Sequence, residues 1–272
     1  MKLYLYTDCQ NLSGLLFGGF GLPPWFDIPP LQEQAAHDRM AREVAAVAQA
    51  CNRAGATDIL VHEAHPLELL NLPDNVRVLR GSNKLLLDNT FDAILFAGQH
   101  VNPAVAAAQD RRQAGLASLT LNGQPLSELE IVARAAGEMG IPTALITGQA
   151  SVIHAAAKAL GAAVPLAPTD NESYGALDAA VGAALKAVRD GHAPVVTPPA
   201  APAYRLDIQF STRFHAERCD RFDDATLTGP RTCRIEKSSW AEVLEAYTRL
   251  GIVLDSTSIV LPRLIARNEK SK

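Results

Sequence analysis

Short apolar runs alternate with longer stretches of helical periodicity along this chain. The strand-length runs are KLYLYT, TDILVH, NVRVLRG, FDAILFAG and PTALITG, and the last two are continuous apolar stretches typical of a buried parallel sheet. Between the first two runs, LQEQAAHDRMAREVAAVAQACNRAG has the periodicity of a long helix that stops at Gly55. This alternation predicts an α/β fold with a mostly parallel sheet flanked by helices.

The middle of the chain carries two further local signals. SLTLNGQPL predicts a strand followed by an Asn-Gly turn. SELEIVARAAGEMG predicts a helix with Ser127 as its N-cap and Glu130, three residues later, completing a capping box. Two more helices are predicted at ASVIHAAAKALG and GALDAAVGAALKAVRDG.

A proline-rich segment divides the chain. HAPVVTPPAAPAY contains four prolines and predicts a stiff, extended connector. Beyond it, RLDIQF and TCRIEK read as strands and SWAEVLEAYTRLGIVLD as a helix. We therefore expect an α/β domain at 1–192 that carries the functional site, a connector at 193–203 and a small α+β lobe at 204–272.

Charge and composition exclude several classes of partner. The formal net charge of −4 over 272 residues gives no electrostatic case for nucleic acid or an anionic membrane. No apolar segment approaches the roughly 18–20 residues that a membrane helix needs. The first residues run into a strand and not into a signal peptide, so a cytoplasmic location is expected. The four cysteines show no Cys-x-x-Cys spacing, which argues against a thiolate zinc knuckle and, in a cytosolic chain, against disulfides.

Polar residues collect at the ends of the predicted strands, where ligands bind in open α/β sheets. These residues are Asp8, Cys9, Gln10, His62, Glu63, His65, Gln99, His100 and Gln149. Imidazoles with carboxylates suit zinc or a similar divalent ion. Taken singly, an aspartate at a strand end is more often a turn or cap residue, and a histidine there is more often satisfied by a backbone carbonyl. Both interpretations stay open on this observation alone.

Five stretches, in their order and spacing, resemble a known family. They are MKLYLYTDCQNLSG, ATDILVHEAHPLELLNL, DAILFAGQH, LTLNGQPLSELE and EVLEAYTRL, and together they span nearly the whole chain. The sequence resembles the zinc-dependent D-aminopeptidases of the DppA type. The resemblance implies a two-zinc aminopeptidase that assembles as a ring-shaped homo-oligomer, usually described as a decamer of stacked pentamers.

The resemblance also implies a set of metal ligands. Position by position, the family ligands fall on Asp8, His65, His100 and Glu128, while the glutamate expected two positions after Asp8 is Gln10. A neutral amide is a poor zinc ligand beside a carboxylate, and its loss weakens the charge balance around two divalent ions. We therefore expect at most one firmly bound divalent ion per chain, zinc by preference, held mainly by Asp8, His100 and Glu128. By strand alternation, Cys9 faces the core.

The departures from the family cluster at the site. The family's catalytic histidine, expected shortly after the Gly-x-His, has no counterpart in VNPAVAAAQDRRQAGLAS. Val132 stands near the place of a family asparagine, and Gly148-Gln149 replaces a glycine-aspartate pair. The neighbouring Arg111 and Arg112 are either a solvated helix face or a bidentate grip on a substrate carboxylate.

These observations predict a metal-dependent amide or peptide hydrolase, or a related acyl-transfer enzyme, that has drifted from D-aminopeptidase specificity. Its substrate would be a small amide or peptide, contacted by Gln10, Arg111 and Arg112. Because they neighbour His65, Glu63 or His62 could serve as the base. The alternative is an inactive pseudoenzyme or an oligomeric binding protein on the same scaffold.

An apolar loop follows the first strand end. LLFGGFGLPPWFDIPP, from Leu15 to Pro30, is too apolar to lie in water without a partner or a fold-back. It predicts either an oligomer contact or a lid or wall of the substrate pocket. With the resemblance, it leads us to expect a homo-oligomer larger than a dimer.

Overall fold

The computed structural model describes residues 1–7, 30–63, 69, 71–80, 85–99, 116–161, 163–170, 174–210 and 212–250, apart from the side chains of 30–37, 80 and 116. Its strands are β1 Lys2–Thr7, β2 Asp58–Glu63, β3 Val76–Arg80, β4 Ala93–Gln99, β5 Leu116–Leu121, β6 Gln124–Pro125, β7 Thr143–Gly148, β8 Leu166–Pro168, β9 Tyr204–Phe210, β10 Ala225–Gly229 and β11 Thr232–Lys237. Its helices are α1 Pro30–Arg53, α2 Glu128–Glu138, α3 Ala150–Leu160, α4 Leu177–Arg189 and α5 Arg213–Cys219, and a further helix, α6, covers 240–250.

The first of two compact units holds a six-stranded parallel sheet. The strand order is β3-β2-β1-β4-β7-β8. Within the described residues this unit comprises the chain up to 99 and residues 127–200. The sheet confirms the predicted α/β fold with helices on its faces.

The two faces of the sheet bury different side chains. Alternation along β1 sends Leu3 and Leu5 to the face covered by α1 and α4, and Tyr4 and Tyr6 to the face covered by α2 and α3. Leu3 and Leu5 are aliphatic, whereas Tyr4 and Tyr6 carry two phenol hydroxyls into the core on the second face. Those hydroxyls need partners inside the protein.

The second unit contains a five-stranded antiparallel sheet with the order β10-β11-β9-β5-β6. Trp240 of α6 is fully buried in this unit and packs edge-on against Tyr204 at 5.2 Å between ring centroids. The sheet includes β5 and β6 from the middle of the chain, because β5 pairs antiparallel with β9. The alternation of strands and helices did not predict this pairing, nor the short elements β8, β10 and α5.

Local signals at the β5–β6 turn and the start of α2 are confirmed. Asn122 and Gly123 both have positive φ, 49° and 85°, as a two-residue hairpin turn requires. The Ser127 hydroxyl accepts from the Glu130 amide at 3.3 Å, and the Glu130 carboxylate accepts from the Ser127 amide at 3.0 Å. The predicted capping box therefore forms, and it makes Glu128 the first residue of α2.

None of the helices in the described part of the chain combines the length and the hydropathy that crossing a bilayer requires.

Candidate metal centre

The predicted ligands follow strands that are neighbours in the sheet. Asp8 comes directly after β1, His65 two residues after β2, and His100 directly after β4. The order β2-β1-β4 is continuous, and Thr7 lies in register with Glu63 on one side and Ala97 on the other. Because the three strands are parallel, their carboxyl ends share one edge of the sheet.

Glu128, His62 and Glu63 are the predicted site residues whose side chains the structure describes. The remaining predicted residues lie outside the described part of the chain, namely Asp8, Cys9, Gln10, His65, His100, Arg111 and Arg112. The same holds for residues 15–29 of the apolar loop. The roles predicted for all of these residues stay predictions.

Glu128 reaches the edge of the sheet where β1 ends. The Tyr6 hydroxyl donates a hydrogen bond to Oε1 of the half-buried Glu128. This bond ties the first residue of α2 to the residue that stands two positions before Asp8. One carboxylate of the predicted ligand set is therefore held beside the strand end that leads into another.

The phenol that holds Glu128 is itself fixed by packing. Tyr6 is 4% exposed. Its ring meets His62 at 5.3 Å and Phe96 at 5.8 Å between centroids, both in edge-to-face geometry. The position of the hydroxyl is thus set by β2 and β4 as well as by β1.

His62 is buried on the same face of the sheet. Its Nδ1 lies 2.8 Å from the Tyr4 hydroxyl. Burial raises the pKa of Tyr4, an effect partly opposed by a hydrogen bond from the Leu86 backbone. The hydrogen bond to Tyr4 holds the imidazole of His62 in place on this face of the sheet. A role for His62 as a base stays a prediction.

Glu63 ends β2 and is completely buried. Alternation places its side chain on the face of Ile59 and Val61, which packs against α1. Glu128 belongs to α2, which covers the opposite face. The proposed base and the described ligand candidate thus approach the edge of the sheet from different sides.

Of the predicted metal ligands, the structure describes the side chain of Glu128, which can be compared with what a divalent ion needs. Within them, no three His, Cys, Asp or Glu side chains come together in a way that could hold a metal. The Tyr6 hydroxyl holds one oxygen of the Glu128 carboxylate, as the outer partners of metal ligands do. This contact is compatible with the predicted ion, and the role of Glu128 as a ligand stays a prediction.

Sequence reasoning did not single out Tyr6. A tyrosine two positions before a predicted ligand shares that ligand's face by strand alternation, and this spacing was the available signal. Sequence reasoning also did not single out Glu43, which is fully buried within α1. The sequence indicates it only as a single acidic residue among the alanines and valines of REVAAVA.

Comparison with known proteins agrees with the described fold. The D-aminopeptidase model of peptidase family M55 matches residues 20–248. A D-aminopeptidase from Bacillus subtilis strain 168 is 26% identical in an alignment of 159 residues. The match covers 54% of this chain and 56% of that protein, so it spans about half of the relative's length. The structure of the Zn-dependent D-aminopeptidase DppA from Bacillus subtilis, described as a self-compartmentalizing protease, aligns with a TM-score of 0.68 at 20% identity. That alignment covers 93% of this chain and 98% of DppA, and it shows a common fold. This chain belongs to the D-aminopeptidase family of M55 peptidases.

Proposed function

We propose that this protein is a metal-dependent amide or peptide hydrolase with an altered site on a D-aminopeptidase scaffold. The observation that carries the proposal is the contact between the Tyr6 hydroxyl and the Glu128 carboxylate at the edge where β1 ends. It brings one predicted ligand to the strand end that precedes another. Membership of the D-aminopeptidase family supports peptide or amide hydrolysis as the reaction class.

The ion would be held by Asp8, His100 and Glu128, with His65 as a weaker or additional ligand. Zinc is the ion named for DppA, and it accepts this mixture of imidazole and carboxylate. A divalent ion bound there would polarise the substrate carbonyl and make a water molecule more acidic. Because Gln10 supplies no negative charge, one ion per chain is expected.

The remaining roles belong to the chain's own side chains. Tyr6 keeps Glu128 oriented by holding one of its oxygens. Glu63 or His62 accepts the proton released during attack on the amide. Gln10, together with the Arg111–Arg112 pair, contacts the substrate, since guanidinium groups bind a carboxylate in a bidentate manner. A related acyl transfer would use the same groups.

The assembly proposed for this chain is a homo-oligomer in the cytoplasm. The description of DppA as self-compartmentalizing supports an oligomer for a chain of the same fold. The apolar loop from Leu15 to Pro30 offers surface for such contacts.

Metal analysis combined with a substrate screen tests the proposal. The full chain, purified without chelator, should contain about one zinc or similar ion per chain, and its removal should abolish hydrolysis of a subset of D- or L-amino-acid amides. Simple D-alanyl peptides should turn over weakly, because a lost acid–base group typically costs about 10²–10⁴-fold. Protein without any divalent ion would instead favour the inactive scaffold or binding protein. Turnover of D-alanyl peptides at ordinary aminopeptidase rates would contradict the proposed drift.

A further inference from the structure

A carboxyl group is buried beneath the end of β4. Glu43 of α1 is 0% exposed, and its Oε1 accepts a hydrogen bond from the Thr147 hydroxyl at 2.6 Å. The same oxygen accepts from the backbone N–H of Gly98 at 3.2 Å, and that N–H also lies 3.2 Å from the Thr147 oxygen. One side chain thus joins α1 to the last residues of both β4 and β7.

The backbone at Gly98 departs from regular strand geometry. Its φ is +76°, and a Cβ at this position would lie 2.1 Å from the Met40 sulfur of α1. The register between β4 and β7 shifts between Phe96 and Gln99. The positive φ therefore favours glycine at this position, and Met40 of α1 packs directly against it.

β7 contacts the same end of β4, at Gln99. The Gln99 carbonyl accepts from the backbone N–H of Gln149 at 2.9 Å. A Cβ on Gly148 would lie 1.9 Å from that carbonyl oxygen, so β7 approaches as closely as glycine allows. Both residues that precede His100 are consequently fixed, one through its N–H and the other through its carbonyl.

We propose that Glu43, acting with Thr147, is a positioning residue that sets the direction in which the chain leaves β4 towards His100. This inference rests on the proposed function, which makes His100 a metal ligand. Burying a carboxyl group among apolar side chains is costly, and Met, Val and Ala fill the neighbouring core positions of α1. Its Oε1 contacts the backbone segment that leads into the predicted ligand His100.

Two properties of the full chain test the inference. The first is amide hydrogen exchange at Gly98 and Gln99 in metal-free protein, and the second is Zn²⁺ affinity measured by competition with a chromophoric chelator. Glu43→Met removes the acceptor and Thr147→Val removes the donor, while Glu43→Gln and Thr147→Ser keep those groups. If Glu43→Met fails to fold, Thr147→Val carries the test.

The matched control lies on the same strand. Thr143 of β7 is also fully buried, but its hydroxyl has no hydrogen-bond partner in the described structure, and it sits at the other end of the strand. Thr143→Val makes the same chemical change as Thr147→Val without touching β4's last residues. It should leave exchange at Gly98 and zinc affinity unchanged.

The expected result is faster exchange at Gly98 and zinc binding weakened about tenfold or more in Glu43→Met and Thr147→Val, since partners behind a metal ligand typically contribute about 10–100-fold. Thr147→Ser should restore both. Unchanged exchange, or faster exchange with unchanged zinc affinity, would overturn the inference and leave the proposed function standing. A wild-type protein that binds no Zn²⁺ would overturn the proposed function itself.

Discussion

Replacing Tyr6 by phenylalanine tests the contact on which the candidate site depends. The change removes one oxygen atom, and the ring contacts with His62 and Phe96 remain possible. No cavity large enough to disturb the core is created. The substitution removes the hydrogen bond to Glu128 and leaves the aromatic ring in place.

The expected magnitude follows from the partner. A hydrogen bond to a charged group contributes about 1.5–3 kcal/mol, so the free energy of unfolding of the metal-free protein should fall by up to this amount. Because Glu128 is half-buried, the lower end of that range applies. An outer partner that orients a metal ligand is worth about 10–100-fold in affinity. The stabilisation by excess zinc should therefore fall by about 1.4–2.7 kcal/mol.

Urea unfolding with and without zinc separates the two effects, and chelator competition gives the affinity directly. Tyr4→Phe is the matched control, because Tyr4 is buried on the same strand and face but hydrogen-bonds His62. It should destabilise the protein by about 0.5–1.5 kcal/mol and leave zinc affinity unchanged. The reasoning is refuted if Tyr6→Phe binds zinc as tightly as the wild type, or if Tyr4→Phe weakens binding equally.

Four further predictions concern separate features of the chain. Ser127→Ala should lower the free energy of unfolding by about 0.5–2 kcal/mol in chemical denaturation, because it removes the N-cap of α2. Gln10→Glu should raise the metal content from at most one ion per chain towards two in elemental analysis, whereas Cys9→Ser should leave it unchanged; two firmly bound ions in the wild type would contradict this. Burial alone would raise the pKa of Asp224, but hydrogen bonds from Arg249 and Lys237 outweigh burial and lower it. Asp224 therefore stabilises the fold above its unfolded pKa of about 4, and this contribution is lost as pH falls through the lower folded pKa. Urea titrations should show a shallower acid dependence for Asp224→Asn than for the wild type. Light scattering at micromolar concentration should give a mass larger than a dimer, and a monomeric mass would remove the predicted role of the apolar loop in assembly.

Features set by neighbouring residues could be predicted from the sequence. The capping box needs only Ser127 and Glu130 in one helical turn, and the hairpin turn needs only Asn122 and Gly123. The positions of β1 and β4 can be read directly from the sequence, because each strand contains a continuous apolar run. The parallel sheet then follows from the alternation of such strands with helices.

Features set by distant pairing could not be predicted in this way. β5 alternates polar and apolar residues, but nothing in this local pattern identifies its partner β9, which lies far along the chain, beyond the proline-rich segment. Tyr6 and Glu128 are 122 residues apart, and Glu43 and Thr147 are 104 residues apart. No periodicity relates such positions. The resemblance to a family supplied ligand candidates, but not the residues that stand behind them.

The buried polar pairs bear on the choice between a working metal site and an inactive scaffold. Replacing both members of a buried polar pair by apolar side chains of matching shape is often neutral or stabilising, whereas removing only one member leaves the other unsatisfied. Tyr6 and Glu43 nevertheless keep their polar groups. Both polar groups hold segments that lead into predicted ligands: Tyr6 lies two residues before Asp8, and Glu43 bonds the backbone two residues before His100. Polar groups in these places are what a site that holds an ion would use. They support the proposal that this chain binds a metal ion, with Gln10 at the position where the family resemblance implies a carboxylate.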